Sequence, residues 1–464
     1  MSHTILGIDI GSSKICSIIA EVKDGIPQII GTGTQKSQGV KKGVIVNIEL
    51  ASRAIKNSIS DAKRMAGLDN INKAIVSISG AYTKSINSSG VVNIPGSEIG
   101  IKEISRVLET ALYNASIPSE YEIVHVLPYK FKLDDQDFIE DPMGMNGTRL
   151  EVFVHIVTAQ RTSLENLKKS VRLAGMEIEN IVLSAYAASI AVLSDDEKEL
   201  GVACIDIGGS TCELMIYEGN SMKYNDFLGV GSHHITSDLA MVLNTHIAAA
   251  ETVKINYGNL SSTQETPQRI EVPSIGTDDT KHFITLTTAQ EVIHSRVVET
   301  LSILAKSIIK SGLKDQLGAG VVLTGGMLNM SGIDDIARAI FQRMPVRVAK
   351  PIETAGLFEE LKDPDNSVAI GLIWYGAGKY TNYEKDSEKN IRYKKDKSNI
   401  DPTPTQYSQQ RSFIGADLTN LKEEIMKSEQ KIQKKDIIND INSVNSAKNN
   451  KISNIFARWA SKLF

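Results

Sequence analysis

Two segments of the chain repeat one pattern: an apolar run, an aspartate, and a turn rich in glycine and hydroxyl side chains. The aspartates are Asp9 and Asp206, and the turns are Gly11-Ser12-Ser13-Lys14 and Gly208-Gly209-Ser210-Thr211. An apolar run resumes after each turn, so both segments are predicted to be β-hairpins. Backbone N–H groups in such a turn can bind phosphate, and a carboxylate at its base can hold Mg²⁺ through water. Two facing hairpins would therefore clamp the phosphates of a nucleotide from two sides.

A third feature lies at residues 321–327, where an apolar run leads into Gly325-Gly326-Met327. A single hairpin of this kind is usually an ordinary tight turn, whereas the ordered set of three resembles the superfamily of actin, sugar-kinase and heat-shock-chaperone ATPases. The resemblance implies ATP and Mg²⁺ as ligands. It makes the two turns phosphate-binding loops, places the Gly-Gly-Met segment against the adenosine, and turns both aspartates towards magnesium. The Lys14 ammonium would add a point charge for phosphate.

Composition narrows the class of protein. The chain has 464 residues and a net charge of −4, so it can form two or more cores and shows no overall basic character for binding nucleic acid. Cys16, Cys204 and Cys212 fit neither a metal site nor a disulfide framework, and buried free thiols in a reducing compartment are expected. The N-terminus has no signal-peptide pattern, and the apolar runs are too short to span a bilayer.

The composition changes after residue 380. Residues 381–448 are rich in polar and charged residues with almost no apolar pattern, so a disordered polar linker is expected. Residues 449–464 instead place apolar side chains within an arc of roughly 100° of a helix, flanked by cations. The residues concerned are Ile452, Ile455, Phe456, Trp459 and Leu463, with Arg458 and Lys462 on the flank. Such a helix suits the surface of an anionic membrane; the alternative is a terminal helix that docks on its own protein.

With both ends of the chain considered, the sequence resembles the FtsA family of bacterial cell division. The resemblance rests on E-I-V-H-V-L-P at 122–128, D-P-M-G-M at 141–145 and T-G-G at 324–326, and the first two strings belong to a subdomain peculiar to this family. It implies an α/β, actin-like fold of two ribonuclease-H-like lobes around a nucleotide cleft. An FtsA-type inserted subdomain and a C-terminal amphipathic helix complete the expected architecture.

The same resemblance implies a division of the chain into segments. The expected boundaries are 1–83 and 163–200 for the first lobe, 84–162 for the inserted subdomain, 201–231 and 316–349 for the second lobe, 232–315 for its outer portion, 350–380 for the return to the first lobe, 381–448 for the linker and 449–464 for the membrane helix. Periodicity predicts helices at 101–115 and 289–311.

Further residues receive roles by resemblance. Gly231 opens a stretch similar to the family's G-G-x-x-I-T-x-D-I-A, in which Ser232 replaces the second glycine. Glu251 and Lys254 match positions that hold the ribose and base in relatives. Because they are three residues apart on one helix face, the alternative is a solvated ion pair.

The outer portion of the second lobe would receive the C-terminal tail peptide of FtsZ. Arg296 and Glu299, at i,i+3 on the predicted helix 289–311, are the expected polar anchors, beside the apolar residues Ile293 and Val297. Arginine is a frequent anchor at interfaces because its planar fork can grip a carboxylate or backbone carbonyls. The alternative is that Arg296 and Glu299 only pair with each other on a wet surface.

Hydrolysis is expected to be slow. Most members of the family have a glutamate where this chain has Ser184, and a hydroxyl is a poor base at neutral pH. Ser184 and Asp206 are therefore only weak catalytic candidates, and the chain is interpreted as an ATP-binding switch or scaffold. A phosphotransferase of the sugar- or acetate-kinase kind is the competing class, and a chaperone-like ATPase would need a further β-domain after residue 380.

The resemblance finally implies partners and a location. The expected partners are the FtsZ tail peptide, the anionic inner membrane, further copies of the chain in filaments, and other divisome proteins, with no nucleic acid. The expected location is the cytoplasmic face of the inner membrane at the division site.

Overall fold

The computed structural model describes residues 3–96, 98–261, 268–275 and 281–393. The expected linker beyond residue 393 and the expected helix at 449–464 lie outside these residues. The strands in the described ranges are, in chain order, β1 (His3–Ile10), β2 (Lys14–Lys23), β3 (Ile26–Lys36), β4 (Val40–Lys41), β5 (Val44–Ile45), β6 (Lys73–Ile78), β7 (Thr83–Asn93), β8 (Tyr121–Leu133), β9 (Gln136–Ile139), β10 (Arg149–Gln160), β11 (Glu177–Leu183), β12 (Val202–Ile207), β13 (Cys212–Glu218), β14 (Ser221–Leu228), β15 (Arg269–Pro273), β16 (Lys281–Thr285), β17 (Gly320–Thr324), β18 (Val346–Val348), β19 (Glu384–Lys385) and β20 (Ile391–Arg392). The α-helices of the same ranges are α1 (Ile48–Ala66), α2 (Ile101–Asn114), α3 (Arg161–Leu173), α4 (Ser184–Val192), α5 (Asp195–Leu200), α6 (Ser232–Val242), α7 (Ile247–Tyr257), α8 (Leu286–Lys310), α9 (Ile333–Ile340) and α10 (Ser367–Gly376).

Two five-stranded sheets share one topology. The strand order is β11-β6-β1-β2-β3 in the first lobe and β18-β17-β12-β13-β14 in the second. In each sheet three consecutive strands form an antiparallel meander, and a later strand joins the first of them in parallel. The two hairpins predicted from the repeated sequence pattern are present as β1–β2 and β12–β13, and they occupy equivalent places in the two sheets.

Helices α4 and α10 pack between the two sheets. Every residue of α4 is buried, and their shared core includes Ile5 of the first sheet and Cys204 of the second. A helix that is apolar on all sides is buried on all sides, which explains why neither helix shows an amphipathic stripe. Gly371 permits the close packing, because a Cβ atom there would lie 1.8 Å from the Ala187 carbonyl oxygen. The helix pair joins the two lobes beneath the cleft that separates them.

A third sheet has the order β20-β19-β8-β10-β7, with β9 paired to β8, and its strands β7 to β10 lie within residues 83–160. Helix α2 packs on this sheet and contributes Ile104, Val107 and Leu108 to a core of its own. A separate core is typical of a subdomain. The helix predicted at 101–115 is observed at Ile101–Asn114.

The expected polar linker does not begin at residue 381. Strands β19 and β20 extend the third sheet, and Lys385 pairs with Val126 of β8. Glu384 is buried and accepts hydrogen bonds from the hydroxyls of Tyr186 (2.7 Å) and Tyr375 (2.5 Å). The prediction was wrong for 381–393 because composition registers only polarity, whereas buried polar groups are stabilised by partners from distant segments.

Helix α8 begins at Leu286, before the predicted residue 289. The earlier start follows from Thr285, whose hydroxyl accepts a hydrogen bond from the Thr288 amide (3.3 Å) and so caps the first turn. The helix ends at Lys310, one position before the predicted end.

The three cysteines are buried free thiols, as the sequence analysis predicted. Cys16, Cys204 and Cys212 are free and buried, and burial raises the pKa of the Cys16 thiol to about 11. No helix in the described part of the chain combines the length and the apolar character needed to cross a membrane.

Candidate functional site

The two repeated turns face each other across a cavity of about 580 Å³. Pockets for small ligands commonly have volumes of about 300–1,000 Å³. Predicted residues of both turns line the cavity: Gly11, Ser12, Ser13, Lys14, Gly208, Gly209 and Thr211. Because the two turns come from different lobes, the tertiary structure brings together residues that the sequence could only pair by analogy.

The first turn is closed by a hydrogen bond from the Gly11 amide to the Lys14 carbonyl oxygen (3.1 Å). Asp9, at the end of β1, accepts a hydrogen bond from Ser77 Oγ (2.8 Å), and Ser77 lies on the neighbouring parallel strand β6. Burial raises the pKa of Asp9 to about 6. A cation facing this carboxylate would favour its ionised form.

The second turn is closed in the same way, by a bond from the Gly208 amide to the Thr211 carbonyl oxygen (2.8 Å). Asp206 occupies the place that Asp9 has in the first turn. Burial, followed by the negative charges of Glu213 and Asp9, raises the pKa of Asp206 to about 8. The two turns are therefore alike in the hydrogen bond that closes them and in the raised pKa of the aspartate beside each.

Five carboxylates line this cavity, on Asp9, Asp206, Glu213, Glu251 and Asp365. Hard divalent cations bind oxygen ligands, and Mg²⁺ keeps several of its waters in protein sites. Within the described residues, no three side chains of His, Cys, Asp or Glu converge to ligate an ion directly. The donor set therefore fits a hydrated Mg²⁺ held through water better than a directly ligated ion.

Lys14 is held by the segment that returns to the first lobe. Its ammonium nitrogen lies 2.6 Å from Asp365 Oδ2 and 2.7 Å from Asn366 Oδ1. Asp365 and Asn366 were not predicted as site residues, although they directly precede the apolar run of α10. A phosphate group bound at Lys14 would have to share the ammonium with Asp365.

Glu251 and Lys254 line the cavity from α7. Their charged groups are 2.8 Å apart, as an i,i+3 ion pair requires, with Lys254 9 % exposed and Glu251 39 % exposed. Thr236 joins both: its hydroxyl donates to Glu251 Oε2 (2.5 Å) and accepts from Lys254 Nζ (3.0 Å). The hydrogen bonds hold both side chains at the edge of the cavity.

The Gly325-Gly326-Met327 segment also lines the cavity. Gly325 has φ = 97°, and a Cβ atom there would lie 2.2 Å from Asp206 Oδ1, so the position requires glycine. The chain then continues as a short 3-10 helix from Gly326 to Asn329, and the Met327 side chain is buried.

Two residues predicted to bind nucleotide support the second turn from behind instead. Ser210 Oγ lies 3.0 Å from Nδ1 of His233, and Gly231 packs so closely that a Cβ atom would lie 2.6 Å from the Gly208 carbonyl oxygen. Neither residue is in the cavity lining. Sequence resemblance could not separate contact with a ligand from contact with the loop that binds it.

Ser184 and Asp206, the weak catalytic candidates, both line the cavity. Ser184 is buried at the first position of α4, and its hydroxyl donates to the Ile78 carbonyl oxygen (3.1 Å). A neutral hydroxyl is a poor base at neutral pH, and this one contributes a hydrogen bond that holds the start of α4.

Glu213 is a cavity residue that sequence reasoning missed. It belongs to the second lobe, yet its carboxylate accepts hydrogen bonds from Ser79 Oγ (2.7 Å), the Gly80 amide (3.0 Å) and the Ala185 amide (3.1 Å) of the first lobe. Burial raises the pKa of Glu213. The available signal was an acidic residue at the second position of the apolar strand β13, since a buried charge requires partners.

Arg296 and Glu299 lie on α8, away from the cavity. Arg296 binds both carboxylate oxygens of Asp238 on α6 (2.6 and 3.1 Å) and also Glu299 Oε2 (2.6 Å). The expected apolar neighbours Ile293 and Val297 are fully buried, whereas Ile303, seven residues after Arg296, is 37 % exposed. Arg296 and Glu299 do pair with each other, as the alternative expected, but Arg296 also joins α8 to α6 through Asp238.

Comparison with known families gives two matches. The family model described as cell division protein FtsA matches residues 203–371, and the model of the SHS2 domain inserted in FtsA matches residues 80–158. The second range includes β7, α2, β8, β9 and most of β10, which form the third sheet and its helix.

Similar proteins are found among curated sequences. Cell division protein FtsA of Helicobacter pylori is 49 % identical over 418 residues, covering 84 % of this chain and 85 % of that protein. The FtsA proteins of Pseudomonas aeruginosa and Escherichia coli K12 are 36 % and 31 % identical over 394 and 396 residues, covering 84 % and 83 % of this chain and 94 % and 93 % of those proteins.

Among solved structures, a chain of the PilM–PilN type IV pilus biogenesis complex matches with a TM-score of 0.59 at 17 % identity, covering 80 % of this chain and 98 % of that chain. At this identity the likeness concerns the fold alone. Together with the inserted SHS2 domain, it confirms the predicted class: an α/β, actin-like fold with an FtsA-type insertion.

Proposed function

The chain belongs to the FtsA family of cell division proteins, and from this premise we propose that it is an ATP-binding adaptor that links FtsZ filaments to the cytoplasmic membrane. Membership of a cell division family argues against the phosphotransferase alternative. The proposal has three parts: a nucleotide site, a peptide surface and a membrane helix.

The nucleotide site is supported by one observation above all. Two loops with the same closure, each beside a buried aspartate, face a cavity large enough for a nucleotide. The loop amides would bind the phosphates, with Lys14 adding charge. Glu251 and Lys254 would hold the ribose, and Gly326 would lie beside the adenine. Bound Mg²⁺ would offset the phosphate charge, with Asp9 and Asp206 holding its waters.

Slow hydrolysis is part of the proposal. Fast phosphoryl transfer needs a side chain that orients the attacking nucleophile. Ser184 donates to a carbonyl group, and the carboxylate of Glu213 is engaged by three donors of the first lobe. With both side chains occupied in holding the structure, the bound state of the nucleotide, rather than its rapid turnover, would carry the function.

The peptide surface is proposed on α8 of the second lobe. Arg296, Glu299 and Ile303 are spaced at i, i+3 and i+7 and share one face of the helix. This face offers a half-buried guanidinium, an exposed carboxylate and an exposed apolar side chain. A short peptide such as the FtsZ tail, which orders on binding, would gain only modest affinity from a surface of this size.

The membrane part rests on the sequence of residues 449–464, which lie outside the described residues. Trp459 and Phe456 would enter the interface of an anionic bilayer while Arg458 and Lys462 face its headgroups. Self-association into filaments and binding of other divisome proteins are proposed from family membership.

The nucleotide proposal is tested by Gly326→Asp in isothermal titration with ATP and Mg²⁺. A Cβ atom at Gly326 would lie 3.2 Å from Cβ of Asp365, so the variant adds a carboxylate to a cavity that is already lined by five. We expect at least a tenfold loss of affinity, with a much smaller loss in the matched variant Gly326→Ala. Unchanged ATP binding by Gly326→Asp would refute the assignment of this cavity.

A further inference from the structure

His233 connects the two loops. Its Nε2 atom lies 3.1 Å from Ser13 Oγ in the first loop, and its Nδ1 atom lies 3.0 Å from Ser210 Oγ in the second. The backbone amide of His233 also donates to the Gly209 carbonyl oxygen (2.7 Å). One residue at the start of α6 thus holds both loops by its ring and one of them by its backbone.

The loops meet closely at this point. A Cβ atom at Gly209 would lie 2.0 Å from Ser13 Oγ. Gly326 and Ser13 line the same cavity, so a nucleotide with its adenine at Gly326, as proposed, would direct its phosphates towards the loops and could bring its terminal phosphate to Ser13. Ser13 is itself exposed to the cavity, which leaves its hydroxyl accessible to a ligand.

The surroundings of the ring favour its neutral form. Burial, followed by the charge of Lys254, lowers the pKa of His233, and the opposing charge of Glu251 is a smaller influence. A neutral imidazole donates through one nitrogen and accepts through the other. A phosphate group can only accept a hydrogen bond from Ser13, so a bound phosphate favours one direction of the hydrogen bonds through the ring. In that direction Ser210 donates to Nδ1 of His233, Nε2 donates to the Ser13 oxygen, and the Ser13 proton points into the cavity.

We propose that His233 is a positioning residue for nucleotide binding, which directs the hydroxyl proton of Ser13 towards the terminal phosphate of a nucleoside triphosphate. This inference rests on the proposed nucleotide site. It predicts that the residue distinguishes a triphosphate from a diphosphate, because only the triphosphate reaches the junction of the loops.

Two amide variants separate the roles of the ring nitrogens. The amide of glutamine reaches as far as Nε2, so His233→Gln keeps a donor for Ser13, whereas the shorter amide of His233→Asn reaches only the region of Nδ1. Affinities for ATP and ADP are measured by isothermal titration with Mg²⁺. We expect about a tenfold loss of ATP affinity in His233→Asn, as for one hydrogen bond to a charged group, and less than about a twofold change for ADP. His233→Gln should bind ATP almost as the parent protein does, and His294→Ala, an exposed histidine on α8, is the matched control.

A double-mutant cycle tests whether His233 acts through Ser13. Ser13→Ala should lose about as much ATP affinity as His233→Asn, and the double variant should lose no more than either one. The inference would be overturned if the double variant lost ATP affinity by the product of the two single losses. It would also be overturned if His233→Asn lost ATP and ADP affinity equally, or if His233→Gln bound ATP as weakly as His233→Asn. If the parent protein binds neither nucleotide, the proposed function and this inference both fail. If the parent binds both and the His233 variants match it, only the inference fails.

Discussion

Replacing Glu213 should loosen the joint between the two lobes. Its carboxylate binds Ser79 and Gly80 through one oxygen and the Ala185 amide through the other. Ala185 is the second residue of α4, and Leu183, at the N-cap position, makes no side-chain capping bond. Glu213 therefore caps a first-lobe helix from the second lobe, and its negative charge suits the positive end of that helix.

The expected magnitude follows from these contacts. Glu213→Ala leaves one hydroxyl and two amides without an acceptor, at a cost of about 1–3 kcal/mol for each buried group. Removing a carboxylate that lies beside Asp206 offsets part of this cost, so the free energy of unfolding should fall by about 3 kcal/mol. Glu213→Gln keeps the oxygen that serves Ser79 and Gly80 but sets an NH₂ group against the Ala185 amide, at about 1–2 kcal/mol.

Urea unfolding and hydrogen exchange together measure the effect. The amides of Gly80 and Ala185 should exchange much faster in Glu213→Ala, and only that of Ala185 should do so in Glu213→Gln. Glu218→Gln is the matched control on the same strand, because Glu218 is half-exposed and forms a surface ion pair with Lys223 (3.2 Å), worth about 0–1 kcal/mol. Normal protection of both amides in Glu213→Ala, with unchanged stability, would refute the reasoning.

Three further predictions concern the site and the two proposed surfaces. Because the pKa of Asp206 is raised to about 8, protons compete with a cation there, so the affinity for ATP with Mg²⁺ should rise as the pH goes from 7 to 9. In Asp206→Asn the same affinity, measured by isothermal titration, should not change with pH, and an equal pH dependence in both proteins would contradict the assignment. Arg296→Glu should weaken binding of a labelled FtsZ tail peptide about tenfold in fluorescence anisotropy. Because this change also sets a carboxylate against Asp238 on α6, the companion variant is Glu299→Lys, which keeps the pair of Arg296 and Asp238. Parent-like affinity in both folded variants would move the site elsewhere. Trp459→Glu should release the protein from anionic liposomes, since burial of a large apolar side chain contributes about 1.5–3 kcal/mol, whereas Asn454→Glu on the opposite helix face should still co-sediment; co-sedimentation of both would exclude the proposed helix.

Local sequence patterns were enough to predict the two hairpins and helix α2, which packs on the third sheet. The turns at Gly11 and Gly208 follow from glycine and hydroxyl residues between apolar runs, and helix α2 follows from an apolar period within fifteen residues. Resemblance then supplied the class of fold and the family. The composition of residues 381–393 predicted a disordered linker, whereas the segment is ordered. Glu384 and Asp386 are typical of a linker by composition alone, although both are buried.

The sequence by itself determined which segments become strands, turns and helices, since strand alternation, helix periodicity and turn chemistry depend on neighbours a few residues apart. Only the tertiary structure decided how those segments use their polar groups. Glu213 finds its donors at Ser79, Gly80 and Ala185, and His233 reaches Ser13 across 220 positions of sequence. A side chain's hydrogen-bond partners depend on which elements pack together, and that packing is settled by the burial of whole lobes.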